Sequence, residues 1–185
     1  MKILVIGDPH GKLPKRIPKK IDLILVTGDL GKVDLARKRF FENVKREKIG
    51  LPEIKDTSEF VKKTHMEIYN SSNKIVKRLI KFAPVYTILG NVGMYDSEVK
   101  KESKRFGVKL LLLVGSFKKF KKIKLIGNRF VNFNGIRIGG LEYFVDDFWV
   151  KEFSPKNRER IKESKRETAK AGKILKWFGK NKVDI

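Results

Sequence analysis

The chain has 185 residues, enough for a domain with a buried core, and 41% hydrophobic with 10% aromatic residues indicates a folded protein rather than a disordered one. No apolar run approaches the roughly 20 residues that a membrane-spanning helix needs, and the absence of cysteine excludes disulfides and thiolate metal sites. The formal net charge of +23 favours polyanions such as nucleic acids or phosphorylated substrates, although lysines spread over the whole length could also serve only solubility. Met1 leads directly into an apolar run without a signal peptide, so we expect a cytoplasmic protein with no membrane partner.

Three short apolar runs each end at a glycine that is followed by a residue with an oxygen ligand. They cover residues 2–10, 21–29 and 84–91, and they are too short and too β-branched for helices, so we predict buried strands. Ligands of open parallel sheets bind beyond the carboxyl ends of the strands. We therefore expect four side chains at one edge of a sheet: Asp8, His10, Asp29 and Asn91. Two carboxylates, one imidazole and one amide oxygen suit divalent metal ions.

The remaining pattern predicts helices between the strands and antiparallel structure later in the chain. Helices are expected over residues 33–49 and 58–82; Asp56 and Glu59 suggest a capping box for the second, and polar residues 70–73 favour a break within it. The dense apolar run at residues 110–114 has the length of a core strand. A strand is predicted at 123–126, and Asn134-Gly135 predicts a hairpin between residues 129–133 and 136–141.

A long helix is predicted from Ser154 to about Phe178, with Pro155 in its first turn and Gly179 just past its end. Residues 181–185 look like the start of another buried strand. Strands that alternate with helices in the first ninety residues indicate a parallel α/β sheet, and we expect a single domain over residues 1–185.

Each of the four predicted ligands has an alternative structural role. On an extended segment, residues two apart point the same way, so Asp8 and His10 would bind one ion, but Asp-Pro and His-Gly are also ordinary turn pairs. The Asp29 carboxylate can bridge two ions or, instead, cap a helix that begins at residue 30. Asn91 can offer a carbonyl oxygen or simply adopt a left-handed turn. We expect His65, inside the second helix, to lie at a helix surface or core edge and not to bind metal.

Gly-Asp-x-His, Gly-Asp and Gly-Asn, in this order, resemble the opening motifs of the calcineurin-like metallophosphoesterases of archaeal type. The resemblance implies a four-layer α/β/β/α sandwich with mixed sheets and two divalent ions, Mn²⁺, Fe or Zn²⁺. It implies that Asp8 and His10 hold the first ion, that Asp29 bridges, and that Asn91 holds the second, so that Asp29 and Asn91 are catalytic. A metal-bound hydroxide would then attack phosphorus in a phosphomono- or diester.

The sequence departs from this family at two places. The family usually has histidine directly after Gly-Asn, where it assists the leaving group, but this chain has Val92; Tyr95 and Asp96 are the nearby candidates to replace it. The family also supplies three later histidine ligands, in a Thr-His-like segment and a Gly-His-x-His, whereas this chain has only His10 and His65. We therefore expect a C-terminally incomplete site, whose remaining ligands come from a missing segment or a companion chain.

Several functions remain open from the sequence. The leading interpretation is a phosphoesterase acting on a small molecule or on nucleic acid, with Lys12, Lys15 and Arg16 after His10 steering the phosphate. Residues 117–122 mix phenylalanine with lysine, as in surfaces that bind single strands. The alternative is a catalytically degenerate protein of the same fold that binds nucleic acid or a protein partner. A nucleotide-binding α/β domain is disfavoured because neither Gly-x-Gly-x-x-Gly nor a phosphate-binding loop occurs.

Overall fold

A computed structural model of the chain describes residues 1–142, 150, 152 and 158–185. The chain divides into two compact units, Met1–Lys124 and Leu125–Ile185. The division into compact units does not test whether residues 1–185 form a single domain, so this stays a prediction.

The first unit is built on a four-stranded sheet with the strand order β1-β2-β3-β4. Its strands are β1 (Ile3–Ile6), β2 (Leu23–Val26), β3 (Val85–Thr87) and β4 (Ile123–Leu125), the last of which reaches the boundary with the second unit. β1 pairs with β2 and β2 pairs with β3, both in parallel. All four side chains of β2 are buried, as expected of a central parallel strand that is covered on both faces. The predicted strands that carry the first three motifs are therefore present, side by side and in parallel.

Four helices accompany this sheet: α1 (Asp34–Lys48), α2 (Ser58–Leu79), α3 (Asp96–Phe106) and α4 (Leu113–Phe117). The side chain of Thr57 caps α2 by accepting a hydrogen bond from the Phe60 N–H, so the cap lies one residue after the predicted Asp56. The buried face of α2, which includes Ile75, Val76 and Leu79, contributes to the core of the unit.

Two predictions in this unit are wrong. α2 continues through residues 70–73, where Ser71 donates to the Glu67 carbonyl and Asn73 to the Tyr69 carbonyl, so that these two polar side chains are satisfied without interrupting the helix. Residues 110–114 form no strand. Leu113 instead starts α4, whose first turn is capped by the Asp96 carboxylate.

The second unit contains the predicted hairpin, β5 (Arg129–Phe133) and β6 (Ile136–Gly140), which pair antiparallel around Asn134-Gly135. Its helix α5 (Arg158–Lys180) corresponds to the predicted long helix. The predicted start at Ser154 and Pro155 lies outside the described residues. Gly139 of β6 lies against α5, since a Cβ there would be 2.8 Å from the Phe178 ring.

The last residues pair with β6, but they are not buried as predicted. The Ile185 N–H donates to the Arg137 carbonyl at 3.2 Å, and the Gly139 N–H donates to the Ile185 carbonyl at 2.6 Å. This is the hydrogen-bond pattern of two parallel strands. Ile185 is nevertheless exposed.

The predicted fold class is confirmed, since the protein is a mixed α/β fold with a parallel and an antiparallel sheet. Among the described helices, none is both long enough and apolar enough to cross a membrane.

Replacing Val85 by alanine is expected to lower the free energy of unfolding by about 2 kcal/mol, because two methyl groups are removed from a well-packed core. Val85 in β3 is 0% exposed, whereas Val5 in β1 is 59% exposed. The matched Val5→Ala change should therefore alter the free energy of unfolding by less than about 0.5 kcal/mol. Urea denaturation measures both, and equal losses would show that Val85 is not a core residue.

Candidate metal centre

Backbone hydrogen bonds join the three loops that follow β1, β2 and β3. The His10 N–H donates to the Asp29 carbonyl at 2.9 Å, and the Gly11 N–H donates to the Leu30 carbonyl at 2.9 Å. The Asp29 N–H donates to the Leu89 carbonyl at 3.1 Å. We call these loops, residues 7–11, 27–31 and 88–92, the strand-end rim. Their main chains are held at fixed distances, so the predicted ligands are anchored on a common backbone.

Three of the predicted ligands have left-handed backbone conformations. The φ angles are 25° at Asp8, 42° at His10 and 43° at Asp29. Such angles are uncommon outside glycine, although Asp, Asn and His adopt them more readily than other residues. Strained backbone of this kind concentrates at functional sites, where the surrounding structure must impose it. The surrounding structure therefore holds these three residues in strained backbone conformations, which fixes the directions of their side chains.

Two glycines allow the loops after β2 and β3 to approach each other closely. A Cβ at Gly28 would lie 2.9 Å from the Gly90 Cα, and a Cβ at Gly90 would collide with the Asp29 carboxylate. Both glycines also have positive φ angles, 122° and 72°. The glycine in each motif thus has a steric reason: side chains there would push Asp29 away from the loop after β3.

Asp29 is the centre of the polar contacts at the rim. The residue is 8% exposed, and its carboxylate accepts a hydrogen bond of 2.9 Å from the Val92 N–H at Oδ1. The His10 Nε2 lies 3.8 Å from its Oδ2. The Asn91 amide lies against the same carboxylate, and with its nitrogen turned inward it donates hydrogen bonds of 2.6 and 3.1 Å. The side chains of His10 and Asn91 therefore both lie next to the Asp29 carboxylate.

Burial raises the pKa of Asp29 above its ordinary value of 3.8. The Val92 N–H and the nearby His10 oppose this rise, while the charge of Asp8 adds to it. The net upward direction means that the protein alone does not supply enough positive charge to compensate the desolvated carboxylate.

The backbone conformation at Asp8 differs from the extended one that the sequence predicted. The segment from Asp8 to His10 is not extended, because both residues have positive φ angles. The Asp8 carboxylate accepts a 3.0 Å hydrogen bond from the Thr27 hydroxyl, which in turn accepts one from the Asp8 N–H. The predicted extended segment is therefore wrong. The Asp8 carboxylate is hydrogen-bonded to Thr27, and the His10 Nε2 lies beside Asp29, so the binding of one ion by Asp8 and His10 stays a prediction.

Thr27 was not predicted as a site residue, although its place at the end of β2 indicates that it lies close to Asp8. Ile6 pairs with Val26 in the parallel register, which places Thr27 beside the residues that follow β1. A polar residue at the end of an otherwise apolar strand, level with Gly7 and so next to Asp8, is suited to fix the Asp8 carboxylate. The Val92 N–H could not have been found, because a backbone donor leaves no trace in residue type.

The alternative roles considered for Asp29 and Asn91 do not apply. α1 begins at Asp34 with Val33 at its N-cap, so Asp29 caps no helix. The left-handed residue of the Gly-Asn pair is Gly90, and Asn91 is not among the residues with positive φ.

The residues considered as substitutes for missing ligands have structural partners. His65 is buried in α2, and its Nε2 lies 2.7 Å from the Leu111 carbonyl. The Asp96 carboxylate accepts hydrogen bonds from the N–H groups of Val114 and Gly115. Val92 lines a cavity of about 60 Å³ together with His65, so the cavity and the rim share this residue.

The basic residues Lys12, Lys15 and Arg16 are exposed in the loop that continues from His10. The Arg78 guanidinium of α2 donates hydrogen bonds of 3.1 Å to the carbonyls of Pro14 and Lys15, which anchors this loop. Their steering of phosphate stays a prediction.

The residues at the rim fit a divalent cation in part. In the described part of the chain, no three His, Cys, Asp or Glu side chains form a metal-binding group. However, the buried His10 Nδ1 has no hydrogen-bond partner there. The Asn91 amide could also turn its oxygen toward Asp29, and a cation between the two oxygens would offset their repulsion. A carboxylate, an imidazole and an amide oxygen in contact are a suitable donor set for such an ion.

A family model for calcineurin-like phosphoesterases matches residues 1–184. No curated protein and no solved structure matches the chain. The matched span includes the whole strand-end rim and runs through both compact units.

In EDTA, the Asp29→Asn variant is expected to be more stable than the wild type near neutral pH. Because folding raises the pKa of Asp29, the protonated side chain favours the folded state at pH values below 3.8. This contribution to the stability of the fold is lost as the pH rises through the folded pKa. Asparagine cannot ionise, and it tolerates the left-handed backbone. Melting temperatures measured from acid to neutral pH should therefore show a difference between variant and wild type that grows with pH.

The matched Asp34→Asn variant should behave in the opposite way. The hydrogen bond from Lys32 lowers the pKa of the exposed Asp34. The charged Asp34 side chain therefore contributes to the stability of the fold at pH values above 3.8, and this contribution is lost as the pH falls. A variant at Asp29 that is less stable than the wild type at neutral pH would contradict an uncompensated buried carboxylate.

Proposed function

Because the chain belongs to the calcineurin-like phosphoesterase family, we propose that it is a metal-dependent hydrolase of phosphoester bonds with its reaction at the strand-end rim. The observation that supports this most is the buried Asp29 carboxylate in contact with His10 and Asn91, beyond the carboxyl ends of three parallel strands. Substrates in this proposal are phosphomono- or diesters, either small molecules or nucleic acids, and the protein is cytoplasmic.

Two divalent ions are proposed as cofactors, with Mn²⁺, Fe and Zn²⁺ as the candidates. Asp8 and His10 would hold the first, Asp29 would bridge, and Asn91 would hold the second. When bound, such ions lower the pKa of a water molecule and neutralise phosphoryl oxygens. The Thr27 hydroxyl bonds Oδ1 of Asp8 and would orient its carboxylate for this role, as the Val92 N–H would orient Asp29 through Oδ1.

Val92 restricts how the leaving group is protonated. An alkyl side chain carries no proton to donate, and Asp96 is occupied by backbone N–H groups of α4. We therefore propose that the leaving group takes its proton from the exposed Tyr95 or from solvent, or that it is a good leaving group, as an aryl or phosphoanhydride oxygen is.

The number of nitrogen ligands suggests that further ligands come from outside residues 1–185. The sequence contains two histidines, and His65 is hydrogen-bonded to the Leu111 carbonyl. We propose that a segment or companion chain with Thr-His and Gly-His-x-His motifs supplies the rest. The same ligand count and Val92 favour the second candidate function, a degenerate protein that binds nucleic acid or a protein partner.

The Asp29→Asn change is expected to reduce kcat/KM for aryl phosphate esters by at least about a hundredfold, because it removes the bridging charge. Hydrolysis of p-nitrophenyl phosphate and of bis(p-nitrophenyl) phosphate in Mn²⁺ measures this. The exposed Asp34→Asn variant serves as the control and should retain full activity. Activity that persists in EDTA, or that is equal in both variants, would contradict a metal centre at Asp29.

Calorimetric titration with Mn²⁺ should show weak binding to the chain by itself and at least about tenfold tighter binding after addition of a polypeptide with the missing histidine motifs. The added imidazoles would increase the number of ligands per ion. Equally tight binding with and without that polypeptide would refute the incomplete site. The complete lack of activity with any metal in both cases would favour the degenerate alternative.

A further inference from the structure

The C-terminal half of α5 presents lysines that no acidic residue of the helix balances. In the first half, Glu163 and Glu167 pair with Arg166 and Lys170. After Glu167, the sequence contains no aspartate or glutamate until Asp184. Three exposed lysines occupy this stretch at positions i, i+3 and i+7: Lys173, Lys176 and Lys180. At 100° per residue, they lie within about 60° of one another on the helix and extend over about 10 Å.

An exposed aromatic ring lies among these lysines. Trp177 is 40% exposed and follows Lys173 by four residues and precedes Lys180 by three, so both are its neighbours on the helix surface. Its ring is stacked at a tilt against Phe130 of β5, with centroids 5.0 Å apart, and against Phe178 at 5.5 Å. The inner side of the indole is thus supported by the hairpin, while part of it remains open to solvent. We call Lys173, Lys176, Trp177 and Lys180 the Trp177 face.

We propose that the Trp177 face binds single-stranded nucleic acid, with the lysines contacting phosphates and Trp177 stacking on an unpaired base. Basic side chains that follow a backbone and aromatic rings that accept bases are the two components of sequence-tolerant single-strand binding. A rigidly supported indole loses little side-chain freedom when a base stacks on it. Paired bases in a duplex do not offer their faces in this way, which favours a single strand over a double one.

The packing of α5 argues against an anionic membrane as the occupant. A helix that lies in a membrane interface needs a free apolar face opposite its basic one. In α5, Ala171 is buried and Phe178 packs on Gly139 of β6. Leu175 is exposed on that same side of the helix, but one leucine beside packed residues is not a continuous apolar face. Single-stranded nucleic acid therefore matches the charge and the aromatic ring without requiring α5 to detach from the hairpin.

The test is binding of a labelled oligothymidylate to the full chain in EDTA, followed by fluorescence anisotropy at several salt concentrations. The Lys173→Gln/Lys176→Gln/Lys180→Gln variant keeps good helix formers. It should bind at least about tenfold more weakly, and the slope of log K against log salt should become shallower by about 2, as expected for three lost phosphate contacts. The matched control, Lys100→Gln/Lys101→Gln/Lys104→Gln in α3, removes the same charge from another exposed helix and should change affinity less than about twofold.

A second measurement tests the stacking. In a Trp149→Phe background, Trp177 is the remaining tryptophan of the two. Oligothymidylate should quench its emission, whereas inorganic polyphosphate should not. Four results would overturn the proposal: no binding by the wild type, equal weakening by both triple variants, oligothymidylate binding without quenching, or binding to phosphatidylserine vesicles in preference to the oligonucleotide.

Discussion

The hydrogen bonds that link the loops after β1, β2 and β3 are the constraint on which the candidate site depends. Parallel strands by themselves bring only their carboxyl ends together, and the loops beyond them could diverge. Here the Asp29 carbonyl accepts from His10 while the Asp29 N–H donates to Leu89, so one residue is bonded to both neighbouring loops. This arrangement positions the side chains of His10 and Asn91 around a carboxylate that is itself largely removed from water.

The electrostatic cost of that carboxylate connects the fold to the proposed chemistry. A buried carboxylate is tolerated when hydrogen bonds or charges compensate its lost hydration. Asp29 receives a backbone hydrogen bond from Val92 and lies near His10, yet its pKa is still raised. A cation at the rim would provide the missing compensation, so binding of metal and stability of the fold should be coupled. The strand-end rim is thus suited to bind a cation.

The sequence was sufficient for the strands that carry the site motifs and for the hairpin, but not for α3 and α4 or for the backbone conformation at the rim. The strands around Asp8, Asp29 and Asn91 could be predicted because short β-branched runs ending at glycine are a strong pattern. The Asn134-Gly135 hairpin was equally clear.

The errors came from interactions that residue type does not reveal. Polar residues 70–73 stayed helical, and Ser71 and Asn73 bond to carbonyls of the preceding turn instead of ending the helix. The left-handed backbone at Asp8 and His10 depends on contacts with distant loops, so an extended segment was the natural but incorrect expectation. The Trp177 face was missed for a similar reason, because only the packed structure shows which side of α5 is open.

The left-handed conformations at Asp8, His10 and Asp29 also limit how this protein can change during evolution. Residues that tolerate positive φ without large strain are few, chiefly glycine, asparagine and aspartate. A lineage that loses the charged side chains of the rim while keeping its architecture would therefore accumulate asparagine or glycine at these positions and not bulky aliphatic residues. Val92 does not have a positive φ angle, so this backbone restriction does not apply to it and it can be replaced earlier. Descendants of this chain could thus keep the backbone of the rim after its charged side chains are lost, and the change would be visible in replacements by asparagine or glycine at these few positions.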